Sequence, residues 1–265
     1  MEHLEWYHYL IAIGGGALAG VLNTLAGSGS AITLSILTEV MGLPGNMANG
    51  TNRVGVFAQT LASTIKFHNK GRLNLEHSRG YIFWTVVGAM IGIGLAVWVS
   101  NEQFRLVFSY LMILMLFIIL VNPKRWLIET DHSRPMPSWL AIPAFLALGI
   151  YGGFIQMGMG VFFLAVMVLG ARYSIIDSNA VKAAVVALYT IIALAIFQWK
   201  GLIDWRIGGI IAIGQTAGGW YTAAYASESD NAKKWAYRLL VLVVLMAIVK
   251  LFGLGDWVLE VMRTD

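Results

Sequence analysis

Two apolar stretches in this chain are too long for one pass through a bilayer and too short for two. They run over about 8–42 and 138–170, whereas a spanning helix needs about 20 residues to cross a hydrocarbon core of about 30 Å. Each carries a glycine break near its middle: Gly27-Ser28-Gly29-Ser30 in one and Gly158-Met159-Gly160 in the other. Glycine permits sharp backbone breaks and close backbone approach. Six further apolar stretches, at about 47–67, 80–99, 103–121, 177–199, 205–226 and 236–254, have single-pass length.

Composition narrows the class. Of the 265 residues, 58% are apolar and 12% charged, against about 25% charged in an average soluble domain. Too little polar surface remains to cover a water-soluble globule, which excludes a cytosolic enzyme, a disordered chain and a nucleic-acid binder. The formal charge of +4 sits largely between the apolar runs, where topology signals sit. The expected partners are therefore the lipid bilayer and, as argued below, a small anion; a homodimer is compatible with the sequence. With no cysteine, disulfides and thiolate metal sites are excluded. The five histidines lie at segment ends or in loops, so no intramembrane metal cluster and no cofactor is expected. The start, Met1-Glu2-His3-Leu4-Glu5, lacks the positive region of a signal peptide, and the first apolar segment is read as part of the mature fold.

The chain repeats at a spacing of about 130 residues. That shift sets Phe67-His68-Asn69-Lys70-Gly71 on Phe197-Gln198-Trp199-Lys200-Gly201, Asn49 on Asn179, Asn52 on Lys182, Asn74 on Asp204 and Gly88 on Gly218. The expected organisation is a first transmembrane repeat over 1–121, a cytoplasmic linker over 122–137 and a second repeat over 138–265. Equivalent loops differ in charge: Lys66, Lys70, Arg72 and Arg79 follow the second stretch, while Lys200 and Arg206 flank its counterpart. Conversely, Lys233, Lys234 and Arg238 match a loop at 100–105 with one base and one acid. Under the positive-inside rule, equivalent loops then face opposite sides. Inverted repeats need an odd number of crossings each; three full spans plus a re-entrant glycine-broken hairpin per half meet that need. Eight ordinary spans in parallel repeats are the alternative.

The fold class expected is thus an all-α integral membrane protein of two inverted repeats, each a glycine-broken helix plus three spanning helices. Asp177-Ser178 reads as the cap of the sixth stretch, and Ser100 with Gln103 as a capping box opening the fourth. Tryptophans near span ends, including Trp6, Trp126, Trp139, Trp199 and Trp205, suit an interfacial belt.

Ionisable groups inside spans carry the most information. Away from the segment ends, these are Arg53, Lys182 and, near a helix end, Glu39. A cation at the bilayer centre costs about 2.5–3.5 kcal/mol on insertion scales. Arg53 and Lys182 fall at nearly equivalent repeat positions, so inverted halves bring both toward the pseudo-axis as an anion site. The structural alternatives are an Arg53–Glu39 bridge and a Lys182 that snorkels to an interface. Helices restarting after the glycine breaks expose free N–H groups and positive dipole ends. Ser28, Gly29 and Ser30 in one half, and Gly158 and Gly160 in the other, therefore join the candidate substrate site. Asn23, Asn49, Asn52, Gln156 and Asn179 complete the set, with Thr51 and Tyr189 nearby; each alone is as well explained by an interhelical hydrogen bond. Gly14, Gly15, Gly16, Gly88, Gly92 and Gly94 read as close-packing positions. No catalytic residue is expected, because Ser28 and Lys182 form the only available dyad for a membrane enzyme.

The run Gly20-x-x-Asn23-x-x-Ala26-Gly27-Ser28-Gly29, then Pro44 before Ala48-Asn49-Gly50-Thr51-Asn52, resembles the first-repeat signature of the sulfite exporter TauE/SafE family. Lys70-Gly71-Arg72-Leu73-Asn74 and Lys200-Gly201-Leu202-Ile203-Asp204-Trp205 resemble the turn that family carries in each half. The resemblance spans nearly the whole chain. It implies a multi-pass permease of the bacterial inner membrane for sulfite, sulfonates or related small anions. With the cell interior negative, expelling one anionic charge gains about 2.3 kcal/mol per 100 mV, so export is the expected direction. Proton-coupled uptake would use Glu39 as the coupling carboxylate, and an anion channel is the remaining alternative.

Overall fold

A computed structural model describes residues 5–96, 126–131, 136–154, 156–229 and 231–251, and every regular α or π element among them is helical. The expected span at 103–121, the Ser100/Gln103 capping box and half of the 122–137 linker lie outside the described residues.

Helix α1 (Trp6–Leu25) ends at the first glycine break, and α2 (Ser30–Ser35) restarts after it and runs into a π-helical turn, Ile36–Val40. The restarted segment folds back along α1. Gly29 packs on Ala19 and Asn23, Ile36 on Gly15, and Met41 and Leu43 join the cluster that holds Ala12. Partners that descend along α1 as the chain advances define an antiparallel helical hairpin. Helices α3 (Gly45–Asn69) and α4 (Leu75–Ala96) follow.

The second half repeats this order. Helix α5 (Ser138–Phe154) breaks, and α6 (Met159–Ala165) restarts and runs into a π-helical turn, Val166–Gly170. Met159 lies on Gly152, Phe163 meets Phe145 edge-on at 5.6 Å, and Gly170 faces Met136, again an antiparallel hairpin. Helices α7 (Ile175–Trp199), α8 (Trp205–Glu228) and α9 (Ala232–Leu251) complete the described chain. Helices α3 and α7 are both 25 residues long and begin 130 apart. The π-helical turns are also offset by 130. The duplication read from sequence therefore extends to local helix geometry.

Packing exchanges partners between halves. Helix α1 lies on α8, with Gly16 and Gly20 against the main chain at Ile211 and Gln215, and Gly214 and Gly218 against Ile13 and Ala17. Helix α4 lies on α5 in the same way, Gly88 and Gly92 against Leu146 and Ile150, and Gly149 and Gly153 against Thr85 and Ala89. A Cβ at any of these positions would overlap a carbonyl or amide, so small residues set the helix spacing. Gly14 and Gly94, expected to pack in this manner, face open space instead.

The turns gather at two ends. At one, Arg206 donates to the Tyr9 hydroxyl at 3.2 Å, and the Asp204 amide donates to Thr51 Oγ1 at 2.9 Å. At the other, Lys70 pairs with Glu228, Lys233 with Glu129 and Arg72 with Asp177 at 3.8 Å. Helix α7 starts earlier than its sequence suggests. Ser174, not Asp177-Ser178, is its cap, accepting from the Asp177 amide at 3.1 Å; Ser174 holds extended backbone while Asp177 is already helical, in the first turn where its charge suits the dipole. Trp6, Trp139, Trp199 and Trp205 are exposed as an interfacial belt requires, but Trp126 is fully buried beside Tyr237. Three described helices have the length and apolarity to cross a membrane: Trp6–Leu25, Ile175–Trp199 and the Leu75–Leu95 part of α4.

Candidate functional site

Both glycine breaks and the two longest helices meet around one small cavity. Its wall takes Asn23, Thr24, Gly27 and Ser30 from the first break, and Gln156, Met159 and Gly160 from the second. Helix α3 adds Val56, Gln59 and Thr60, and α7 adds Lys182, Ala183, Val186 and Tyr189. Val56 and Val186 are related by the 130-residue shift, as are Gln59 and Tyr189, so the cavity straddles the boundary between equivalent halves. Its volume of about 20 Å³ holds about one water molecule. The site is closed in this conformation.

Lys182 is the cation in the cavity wall. Its ammonium donates to the Asn23 carbonyl at 2.7 Å, to the Thr24 carbonyl at 3.5 Å and to Asn179 Oδ1. Asn179 in turn donates to the Leu25 carbonyl at 3.0 Å and to the Ile175 carbonyl at 2.9 Å. Three consecutive carbonyls at the end of α1 are thus held by two side chains of α7. The Asn23 carbonyl also accepts from the Gly27 amide at 3.2 Å; the carbonyls after it close the last turn, where intrahelical donors run out and partial negative charge is left for a buried ammonium to complement.

Arg53 plays the equivalent part on the other half without lining the cavity. It is wholly buried, and Nη2 donates to the Gly153 carbonyl at 3.1 Å, in the last turn of α5. Its guanidinium lies 4.8 Å from the centre of the Phe197 ring, a cation–π contact. Nε and Nη1 have no partner. The two cations share no hydrogen-bond acceptor, and neither has an acidic partner among the described residues. The Arg53–Glu39 bridge is absent: Glu39 is exposed in the π-helical turn, where it accepts from Thr38 Oγ1 at 3.3 Å.

The remaining candidates divide. Gln156 is buried in the wall with φ of 63°, and neither its amide nitrogen nor its oxygen has a partner. Ser30 and Gly160 also line the cavity. Asn23 does too, and it donates to Gln59 Oε1 at 3.1 Å while accepting from the Gly29 amide at 3.3 Å. Gly158, with φ of 77°, caps α6 behind the wall. Asn52 is buried and accepts from Thr33 Oγ1 at 2.5 Å; Asn49 and Ser28 are half-buried and lie off the cavity.

Thr24, Gln59 and Thr60 are site residues that sequence reasoning misses. Gln59 donates to Thr24 Oγ1 at 2.9 Å and to Ser63 Oγ at 3.2 Å. The available signal is Gln59, Thr60 and Ser63, polar at helical spacing in the second half of α3. The Tyr189 hydroxyl, buried and without a partner, completes the wall.

Comparison with known proteins points to membrane transporters. A family model described as Sulfite exporter TauE/SafE matches residues 12–251. The chain is 23% identical to a probable membrane transporter protein (ORF9) of a Sinorhizobium species, over 89% of each chain. It is 28% identical to the probable membrane transporter protein YfcA of Escherichia coli, covering 76% of this chain and 74% of that one. A probable membrane transporter protein of Haemophilus influenzae is 27% identical, covering 77% and 79%. No solved structure matches the chain.

Proposed function

This chain belongs to the sulfite exporter TauE/SafE family, a family of membrane transporters, and from that premise we propose that it carries a small sulfur-containing or organic anion across the bacterial inner membrane. The observation that carries the reading is the pair Arg53 and Lys182. Both are buried in the apolar core with no acidic partner among the described residues, and each is bound to the end of a broken helix beside the meeting point of both breaks. Buried cations of this kind mark ion and substrate pathways. Gln156 Nε2, the Tyr189 hydroxyl and Arg53 Nε and Nη1 add buried donors without partners, which a bound oxyanion would satisfy.

The two helical hairpins serve as re-entrant elements of inverted repeats, and the chain crosses the membrane several times around them. Support comes from the turns: 5–9 and 199–206 meet at one end, while 70–72, 126–131, 172–177 and 227–233 meet at the other. The second end, with Lys70, Arg72, Arg172, Lys233 and Lys234, is the more basic and faces the cytoplasm. Transport proceeds by alternating access, with the repeats rocking about the closed cavity. Among the described residues no carboxylate lines that cavity, which favours efflux driven by the membrane potential over proton-coupled uptake through Glu39. The protein acts as a carrier rather than an enzyme.

Purified protein in liposomes should give saturable sulfite or sulfonate flux that responds to membrane potential. Flux equal to that of empty liposomes for sulfite, thiosulfate, sulfoacetate and taurine alike would remove the anion reading.

A further inference from the structure

Resting on that function, we propose that Lys182 and Asn179 form an anion-operated latch on the end of α1, while Arg53 supplies the donors that receive the anion first.

The argument is a count of N–H groups. A lysine ammonium has three, an arginine guanidinium five. All three of Lys182 are engaged, on Asn23, Thr24 and Asn179. An oxyanion therefore reaches Lys182 only by displacing one of them, and the longest, at 3.5 Å to the Thr24 carbonyl, yields first. Arg53 is the opposite case. One of its N–H groups is engaged, on Gly153, and Nε and Nη1 are buried without partners. Arg53 does not line the cavity, and an anion that reaches these donors as the cavity opens breaks no bond of Arg53. Residues in equivalent positions of the two halves thus have unequal tasks, which symmetry of sequence does not suggest.

The displaced carbonyls lie immediately before the break. Asn23, Thr24 and Leu25 close α1, and Gly27 turns the chain with φ of 76°. Freeing them loosens the hairpin α1–α2 where it abuts Gly160 of the second half. Opening of the closed cavity is thereby tied to ligand arrival, and a ligand shifts such an equilibrium only by its differential affinity for the two states. Departure of the anion returns the ammonium to the carbonyls.

The test is hydrogen exchange of the 22–29 segment, read by mass spectrometry on the full chain in lipid nanodiscs. Sodium sulfite and sodium methanesulfonate serve as probes, with binding measured separately by thermal shift. At saturation, exchange in the wild type should rise about tenfold, the equilibrium factor that about 1.4 kcal/mol corresponds to. Lys182→Met should exchange at the raised rate without anion and respond no further. Asn179→Ala is the second variant, needed if Lys182→Met does not fold. It frees one N–H of Lys182 and leaves the Leu25 carbonyl unheld, so its basal exchange should rise and its anion affinity increase. Arg53→Gln should need more anion to reach the raised rate. If anion binds the wild type and exchange is unchanged or falls, the latch is overturned while the transport reading stands. A full anion response in Lys182→Met has the same meaning. If neither probe binds the wild type, the latch is overturned, and the transport reading is decided separately by the flux assay.

Discussion

Gly27 and Gly160 touch main chain to main chain, each filling the space where the other would carry a side chain. They come from different halves, so the two breaks are packed directly on one another. A Cβ on Gly160 would overlap the Gly27 carbonyl and Cα, and one on Gly27 would overlap Gly160. Gly27 also holds φ of 76°, which costs an L-residue roughly 1–2 kcal/mol.

Alanine at either position should therefore lower the melting temperature. Overpacking costs about 1–3 kcal/mol, and Gly27→Ala should be the worse of the two because its backbone strain adds. Gly14 supplies the control, since an added methyl there would meet nothing within 4 Å. Gly14→Ala should leave the melting temperature unchanged or raised, in line with helix propensity. Equal melting temperatures for all three variants would mean that the contact between the breaks does not hold the site together.

Tyr189→Phe separates stability from binding. The buried hydroxyl has no partner in this closed state, and a buried unsatisfied group costs about 1–3 kcal/mol. Removing it should leave the protein as stable or more stable by thermal unfolding, yet raise the KM for anion flux, because an oxyanion in the cavity loses a donor. A lower melting temperature with unchanged KM would assign the hydroxyl to packing alone.

At Arg53 the expected order of anion affinity is wild type above lysine above alanine. Hydrogen bonds to charged groups contribute about 1.5–3 kcal/mol, so Arg53→Ala should weaken binding by at least about tenfold. Lysine keeps the charge but lacks the planar fork, and falls between. Titration of sulfite by thermal shift checks the series, and three equal affinities would take Arg53 out of the site.

Much of the fold is legible in the sequence because periodicity and composition are local. The glycine breaks, the 130-residue repeat and the Lys-Gly turns before Asn74 and Asp204 all follow from residue type and spacing. The exchange of partners between halves does not, because Gly16 on α8 and Gly88 on α5 are tertiary choices that no single segment encodes. The candidate site is half legible. Arg53 and Lys182 stand out as costly charges in apolar runs, but side-chain reach decides that one lines the cavity and the other does not. Glu39 reads as a coupling group because it is the candidate carboxylate inside an apolar stretch, near its end; the hairpin turns that stretch back, and Glu39 is exposed there. Asp177 reads as a cap because Ser174 lies three residues upstream among Tyr173 and Ile175, with no polar run to flag it.

The arrangement of turns makes the membrane topology testable in the native background, since the chain contains no cysteine. Asn46 and Lys200 are exposed near the end where Asp204 meets Thr51, whereas Asn74 and Lys234 are exposed near the end where Lys70 meets Glu228. Single substitutions Asn46→Cys and Lys200→Cys should react with a membrane-impermeant maleimide in intact cells. Asn74→Cys and Lys234→Cys should react only after the membrane is opened, because the basic end faces the cytoplasm. Asn74 and Lys200 are the informative pair. They lie in equivalent turns of the two repeats, so labelling from opposite sides is the signature of inversion, and labelling from the same side would require parallel repeats and a different path for the anion.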